Sequence, residues 1–127
     1  MKVLLIEPDA WLAESLTTEI RRLDGAAQFA LAADIDAALG LIDDFRPTVI
    51  LTDLILGARN ALALLGELQS YLDTRQIPVV VLTLDAARLD PADFAGYGVR
   101  RILDKATVTP EEIVEACRSE SGDEHVD

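Results

Sequence analysis

The apolar, β-branched run Thr48-Val49-Ile50-Leu51-Thr52 ends on Asp53. An ionised carboxylate is expensive in an apolar setting unless it is paired or metal-bound, so Asp53 calls for a partner. Other reactive side chains fall at matching places. Glu7 and Asp9 follow the run Lys2–Ile6, Thr83 closes Ile77–Thr83, and Asp104 and Lys105 follow Val99–Leu103. In an open parallel sheet, sites form outside the carboxyl ends of the strands. These residues bring acids, a hydroxyl and an ammonium to that edge. Each also has a plain explanation: Asp53 as a turn residue or cap, Glu7 as a turn acid, Asp9 as a helix cap, Thr83 as an ordinary strand residue, Asp104 and Lys105 as surface charges. Their joint placement, all at strand ends and none inside a strand, is what argues for chemistry.

The elements that position them alternate along the chain. Lys2–Ile6 is a continuous apolar run, as expected of a strand buried on both faces. Asp9 is a suitable N-cap for a helix carrying Leu12, Leu16, Ile20 and Leu23, which Asp24-Gly25 stops. Gln28–Ala32 is a weaker edge strand. Asp34 opens a second helix with Ile35, Ala38, Leu39 and Ile42, ending before Arg46-Pro47 because a residue preceding proline avoids the helical region. A third helix is expected over about Asn60–Tyr71, with Leu62, Leu65 and Leu68 on one side and Leu64 and Leu72 widening the stripe. Pro78 fits the first residue of the strand that ends on Thr83. Asp90-Pro91 begins a short fourth helix ending near Gly96 and Gly98. Arg100 and Arg101 mark the fifth strand as an edge, and Thr109-Pro110-Glu111-Glu112 opens a fifth helix. Five βα units in alternation predict a parallel sheet with helices on both faces. The domain is expected over 1–119, with 120–127 a short, frayed acidic tail.

Composition narrows the function classes. The 127 residues suit one domain, and 50% are hydrophobic with no uninterrupted run near the ~20 needed to span a bilayer. The first residues lack a signal-peptide pattern, so a cytoplasmic location is expected. Lys and Arg number 11 against 23 Asp and Glu, a net charge of −12, which disfavours direct contact with a phosphate backbone. Basic protein surfaces and bound cations are the expected partners. The single Cys117 excludes an internal disulfide and is expected half-buried on the last helix. No glycine-rich loop follows the first strand, so a flavin or nucleotide site has no support.

From Lys2 to about Arg118 the chain resembles a receiver domain of two-component response regulators. The resemblance rests on Glu7 after strand one, Asp53 after strand three, Thr83 in V-V-V-L-T and Lys105 in I-L-D-K. It implies a doubly wound, flavodoxin-like α/β fold with strand order 2-1-3-4-5 and five helices. It further implies that Asp53 accepts a phosphoryl group from a histidine kinase or phosphotransfer protein. Thr83 would contact a phosphoryl oxygen, and Lys105 would pair with Asp53 before transfer and with the phosphoryl group after it. Mg²⁺ would be held by Glu7, Asp9, Asp53 and the backbone carbonyl of Ile55. The output would be a downstream protein or effector domain reached through helix four, strand five and helix five, a face also compatible with homodimerisation. Such a domain is not an enzyme beyond its own phosphotransfer and dephosphorylation.

The chain departs from the family pattern near the site. Pro8 stands where the family has a second acid, and it offers neither a side-chain ligand nor an N–H. Leu84 replaces a small residue and is expected to shade the phosphoryl group. Ala106 replaces a proline, and Ile102 stands where an aromatic is common. The loop usually read D-x-x-M-P-G is here Asp53-Leu54-Ile55-Leu56-Gly57-Ala58. Two readings follow, a phosphoacceptor switch and a degenerate receiver that works as a phosphorylation-independent interaction module.

Overall fold

A computed structural model describes residues 1–56 and 59–122. Five parallel strands form one sheet: β1 (Lys2–Ile6), β2 (Gln28–Ala32), β3 (Val49–Thr52), β4 (Val79–Thr83) and β5 (Val99–Asp104). Their spatial order is β2-β1-β3-β4-β5, the expected 2-1-3-4-5. The helices are α1 (Ala10–Leu23), α2 (Ile35–Phe45), α3 (Leu62–Gln69), α4 (Pro91–Phe94) and α5 (Pro110–Ser121). Among the described residues, no helix is long and apolar enough to cross a membrane.

The central strands are buried on both faces because alternate side chains point to opposite sides. Leu4, Ile6, Ile50, Val79 and Val81 meet Ile35, Ala38 and Ile42 of α2 and Leu64, Leu65 and Leu68 of α3. Val3, Leu5, Val49, Leu51, Val80 and Leu82 meet Ala13 and Ile20 of α1 and Ile113, Val114 and Cys117 of α5. Each fully buried Val, Leu or Ile contributes about 1.5–3 kcal/mol. Cys117 is fully buried rather than half-buried. Burial pushes its thiol up to about 12, so it behaves as a small apolar residue.

Helix ends follow local chemistry. Asp9 Oδ1 accepts from the N–H groups of Trp11 and Leu12, and Asp34 Oδ1 accepts from Ala37 N–H. Thr109 and Glu112 form a reciprocal capping box. Arg46 ends α2 in the left-handed region, at φ 53. Pro47 denies it the helical conformation, although a side chain there costs about 1–2 kcal/mol. Gly98, at φ +81, turns the chain into β5, and a Cβ there would approach the Gln69 amide nitrogen to 2.8 Å.

β4 begins at Val79, leaving Ile77 and Pro78 ahead of it, and β5 runs one residue further than expected, to Asp104. Two helix spans also differ from expectation. α3 begins at Leu62, because Arg59–Asn60 pairs antiparallel with Ile55–Leu56 in a small hairpin and Asn60 Oδ1 accepts from Leu62 N–H. It ends at Gln69, which leaves Leu72 outside the helix and 74% exposed. α5 runs to Ser121, two residues past the expected stop. Gly122 closes it with an N–H to the carbonyls of Arg118 and Ser119, and Glu120 pairs with Arg101 at 3.1 Å. Gly57, Ala58 and the tail from 123 onward lie outside the described residues.

Candidate functional site

The parallel register sets Ile6 opposite Thr52 and Thr83 opposite Asp104. The residues after β1, β3 and β5 therefore emerge side by side at one edge. Lys105 follows β5, and its backbone N–H donates to the Thr83 carbonyl at 2.9 Å. From there its ammonium reaches Glu7 Oε1 at 2.9 Å and Asp53 Oδ2 at 3.4 Å. Residues 98 and 52 positions away in sequence meet on one nitrogen.

Each carboxylate is also tied to backbone. Glu7 Oε2 accepts from Asp9 N–H at 3.2 Å, and Asp53 Oδ1 accepts from Leu54 N–H at 2.6 Å. The Thr52 hydroxyl donates to the Asp53 carbonyl at 2.8 Å. The acids are 9% and 16% exposed, a setting in which an unneutralised carboxylate pays desolvation without return. For Lys105, burial disfavours the charged form, but the hydrogen bond and charge of Glu7 and the charge of Asp53 outweigh it. The ammonium pKa is raised above 10.5.

The remaining candidates sit around this trio. Thr83 is buried at the end of β4, where its hydroxyl accepts a long 3.4 Å bond from Asp85 N–H. Asp9 directs Oδ1 to the α1 cap. Among the described residues, no three His, Cys, Asp or Glu side chains form a ready metal cage. Leu84 is 70% exposed. Ile102 packs against the α2–α3 core.

The chain matches the family model for the response regulator receiver domain over residues 3–118. It belongs to the response regulator receiver family. Solved receiver domains share its fold. One is the signal receiver domain of a signal transduction histidine kinase from Syntrophus aciditrophicus, 21% identical with TM-score 0.76, over 96% of this chain and 90% of that one. A sensor protein from Polaromonas sp. JS666 superposes with TM-score 0.83 at 18% identity, over 96% of each chain. The receiver domain of a sensor histidine kinase from Pseudomonas aeruginosa PAO1 is 22% identical with TM-score 0.77, over 95% of this chain and 97% of that one. That structure holds a magnesium ion coordinated in its active site cleft. No curated protein sequence matches this chain. A receiver domain is a phosphoacceptor signalling module of two-component systems and implies a kinase partner.

Within this receiver domain, Glu7, Asp53 and Lys105 converge and Thr83 flanks them. Asp104, read from sequence as a surface acid, also shapes the turn that carries Lys105. Its Oδ1 accepts from Ala106 N–H at 2.9 Å, and its carbonyl accepts from the N–H groups of Thr107 and Val108. The signal was available, because an Asp two residues ahead of a free N–H is a common turn former. The backbone donors of Asp9 and Leu54 had no such signal, since every non-proline residue carries one.

Proposed function

We propose that this receiver domain is a phosphoacceptor switch in which Asp53 takes a phosphoryl group from a phosphohistidine of a histidine kinase or phosphotransfer protein. The observation that carries this reading is the shared ammonium of Lys105, 2.9 Å from Glu7 and 3.4 Å from Asp53 at the carboxyl edge of the sheet. Asp53 Oδ2 attacks phosphorus, the phosphorus–nitrogen bond breaks, and the imidazole leaves with its electron pair and takes up a proton. The product is an acyl phosphate on Asp53. Leu54 N–H holds Oδ1 and fixes the plane of the carboxylate. Lys105 screens the negative charge on both sides of the transfer.

The donor chemistry fits a hard divalent cation in its sparest form. Glu7 and Asp53 supply two carboxylates, the Ile55 backbone a carbonyl, and Asp9 adds negative charge from its place on the helix cap. Mg²⁺ is commonly held by one or two carboxylates with water and phosphate oxygens completing its shell. When bound it would offset repulsion between carboxylate and phosphoryl oxygens. Pro8 contributes no ligand, so Glu7 carries more of the site than the residue it replaces. Phosphorylation adds roughly −1.5 to −2 charge and three acceptor oxygens. The Thr83 hydroxyl gives up its long bond to Asp85 N–H and donates to one of them. Residues 84–90 follow, and the face of α4, β5 and α5 changes for a downstream protein or effector domain.

The test is intact-mass analysis after incubation with Mg²⁺ and acetyl phosphate. An added phosphoryl mass is expected, absent in Asp53→Asn. Mg²⁺ binding is followed by isothermal titration calorimetry. Glu7→Gln is expected to weaken that binding at least about tenfold. No adduct, together with no response to beryllofluoride, sinks the switch. The chain is then a phosphorylation-independent interaction module, a reading that Pro8, Leu84 and Ala106 favour.

A further inference from the structure

A groove runs between α2 and α3 at the opposite edge of the sheet from Asp53. Its apolar wall is Leu39 and Ile42 of α2 with Leu68 of α3, and it holds about 460 Å³. It continues into a space of about 480 Å³ beside Pro47 and Ile77, with Ile42, Asp43, Asp73 and Thr74 common to both. Tyr71 stands over it, 55% exposed. An aromatic ring left in water beside an apolar groove is a usual anchor for a partner.

Charge selects the partner. Asp43, Glu67 and Asp73 line the groove and are exposed, and the ion pairs of the described residues involve none of the three. Arg46 is the cation lining the groove, at its Pro47 end. A second copy of this chain would bring its own net charge of −12 against these acids, so self-association through the groove is disfavoured.

We propose that the α2–α3 groove docks a basic peptide segment of a protein partner, an aliphatic side chain seated against Tyr71 with Lys or Arg facing Asp43, Glu67 and Asp73. Arg46 sets the direction, because the basic end of the segment lies away from it. Docking here leaves the Asp53 edge open, so this partner and the phosphodonor bind together.

The probe is a short synthetic amphipathic helix of lysine and leucine, titrated into the ¹⁵N-labelled chain. Amide shifts are expected to cluster on Leu39, Asp43, Glu67, Tyr71 and Asp73, and affinity to fall as salt rises. The combined variant Asp43→Asn, Glu67→Gln, Asp73→Asn is expected to weaken binding about tenfold, and Tyr71→Ala about fivefold or more. The charge-matched control Glu14→Gln, Glu111→Gln, Glu115→Gln alters exposed acids on α1 and α5 and is expected to stay within about twofold. Equal loss in the control, shifts centred on another face, no binding at low salt, or a dimer in sedimentation that occupies the groove each overturns the proposal.

Discussion

At the carboxyl end of the sheet, Glu7 and Asp53 are nearly buried and share Lys105. At the amino end, Asp43, Glu67 and Asp73 stand exposed around an apolar groove, outside the ion pairs of the described residues. The residue type is the same and the conditions are opposite. Burial removes water as the neutralising medium, so the carboxyl-end acids require a protein cation and two backbone N–H groups. Exposure leaves water in that role, and the amino-end acids keep their charge available to a partner. One edge is built around an internal partner and the other around an external one.

The comparison breaks most readily at Lys105. Lys105→Met removes the ammonium that Glu7 and Asp53 share, and a loss of about 1–2 kcal/mol in urea unfolding is expected, between the values for exposed and buried pairs. No loss would mean that the two acids do not depend on Lys105 for neutralisation and that the two ends differ less than their burial implies.

The pH dependence sharpens the same point. The folded Lys105 pKa lies above 10.5, so the stabilisation from its charge is complete below about 10.5 and disappears as pH rises through the folded value. The difference between wild type and Lys105→Met, measured by urea midpoints, is expected to shrink well above pH 10.5 and to stay constant near neutrality. A difference independent of pH would assign the effect to packing of the lysine stem.

The smallest effect is expected at the amino end. Neutralising Asp43, Glu67 and Asp73 together should move unfolding stability by no more than about 0.5 kcal/mol, because water already solvates them. A large loss would show that these acids stabilise the fold, and the contrast between the two ends would fail.

Much of the fold was legible in the chain itself. Continuous apolar runs identified β1, β3 and β4, because a strand buried on both faces cannot alternate with polar residues. Asp9, Asp34 and Thr109 announced their helices because an N-cap acts on the next two or three N–H groups. Errors arose where a distant or weak signal decided. The Asn60 end of α3 was lost to a hairpin with Ile55–Leu56, and the last turn of α5 was extended by the Arg101–Glu120 pair. The candidate site divided in the same way. Glu7, Asp53, Thr83 and Lys105 were visible as strand-end residues, and the family resemblance implied the Lys105–Asp53 pair but not the shorter bond from Lys105 to Glu7.

The sequence by itself therefore determined the alternation of five strands and five helices, the identity of the acids, and their place at strand ends. These are local properties, set by periods of 2 and 3.6 residues and by caps a few positions long. Only the tertiary structure decided that Lys105 bridges Glu7 and Asp53 and that an acidic groove opens between α2 and α3. Those facts depend on strand order and register, which bring together residues 52 and 98 positions apart, a range that no local period reaches.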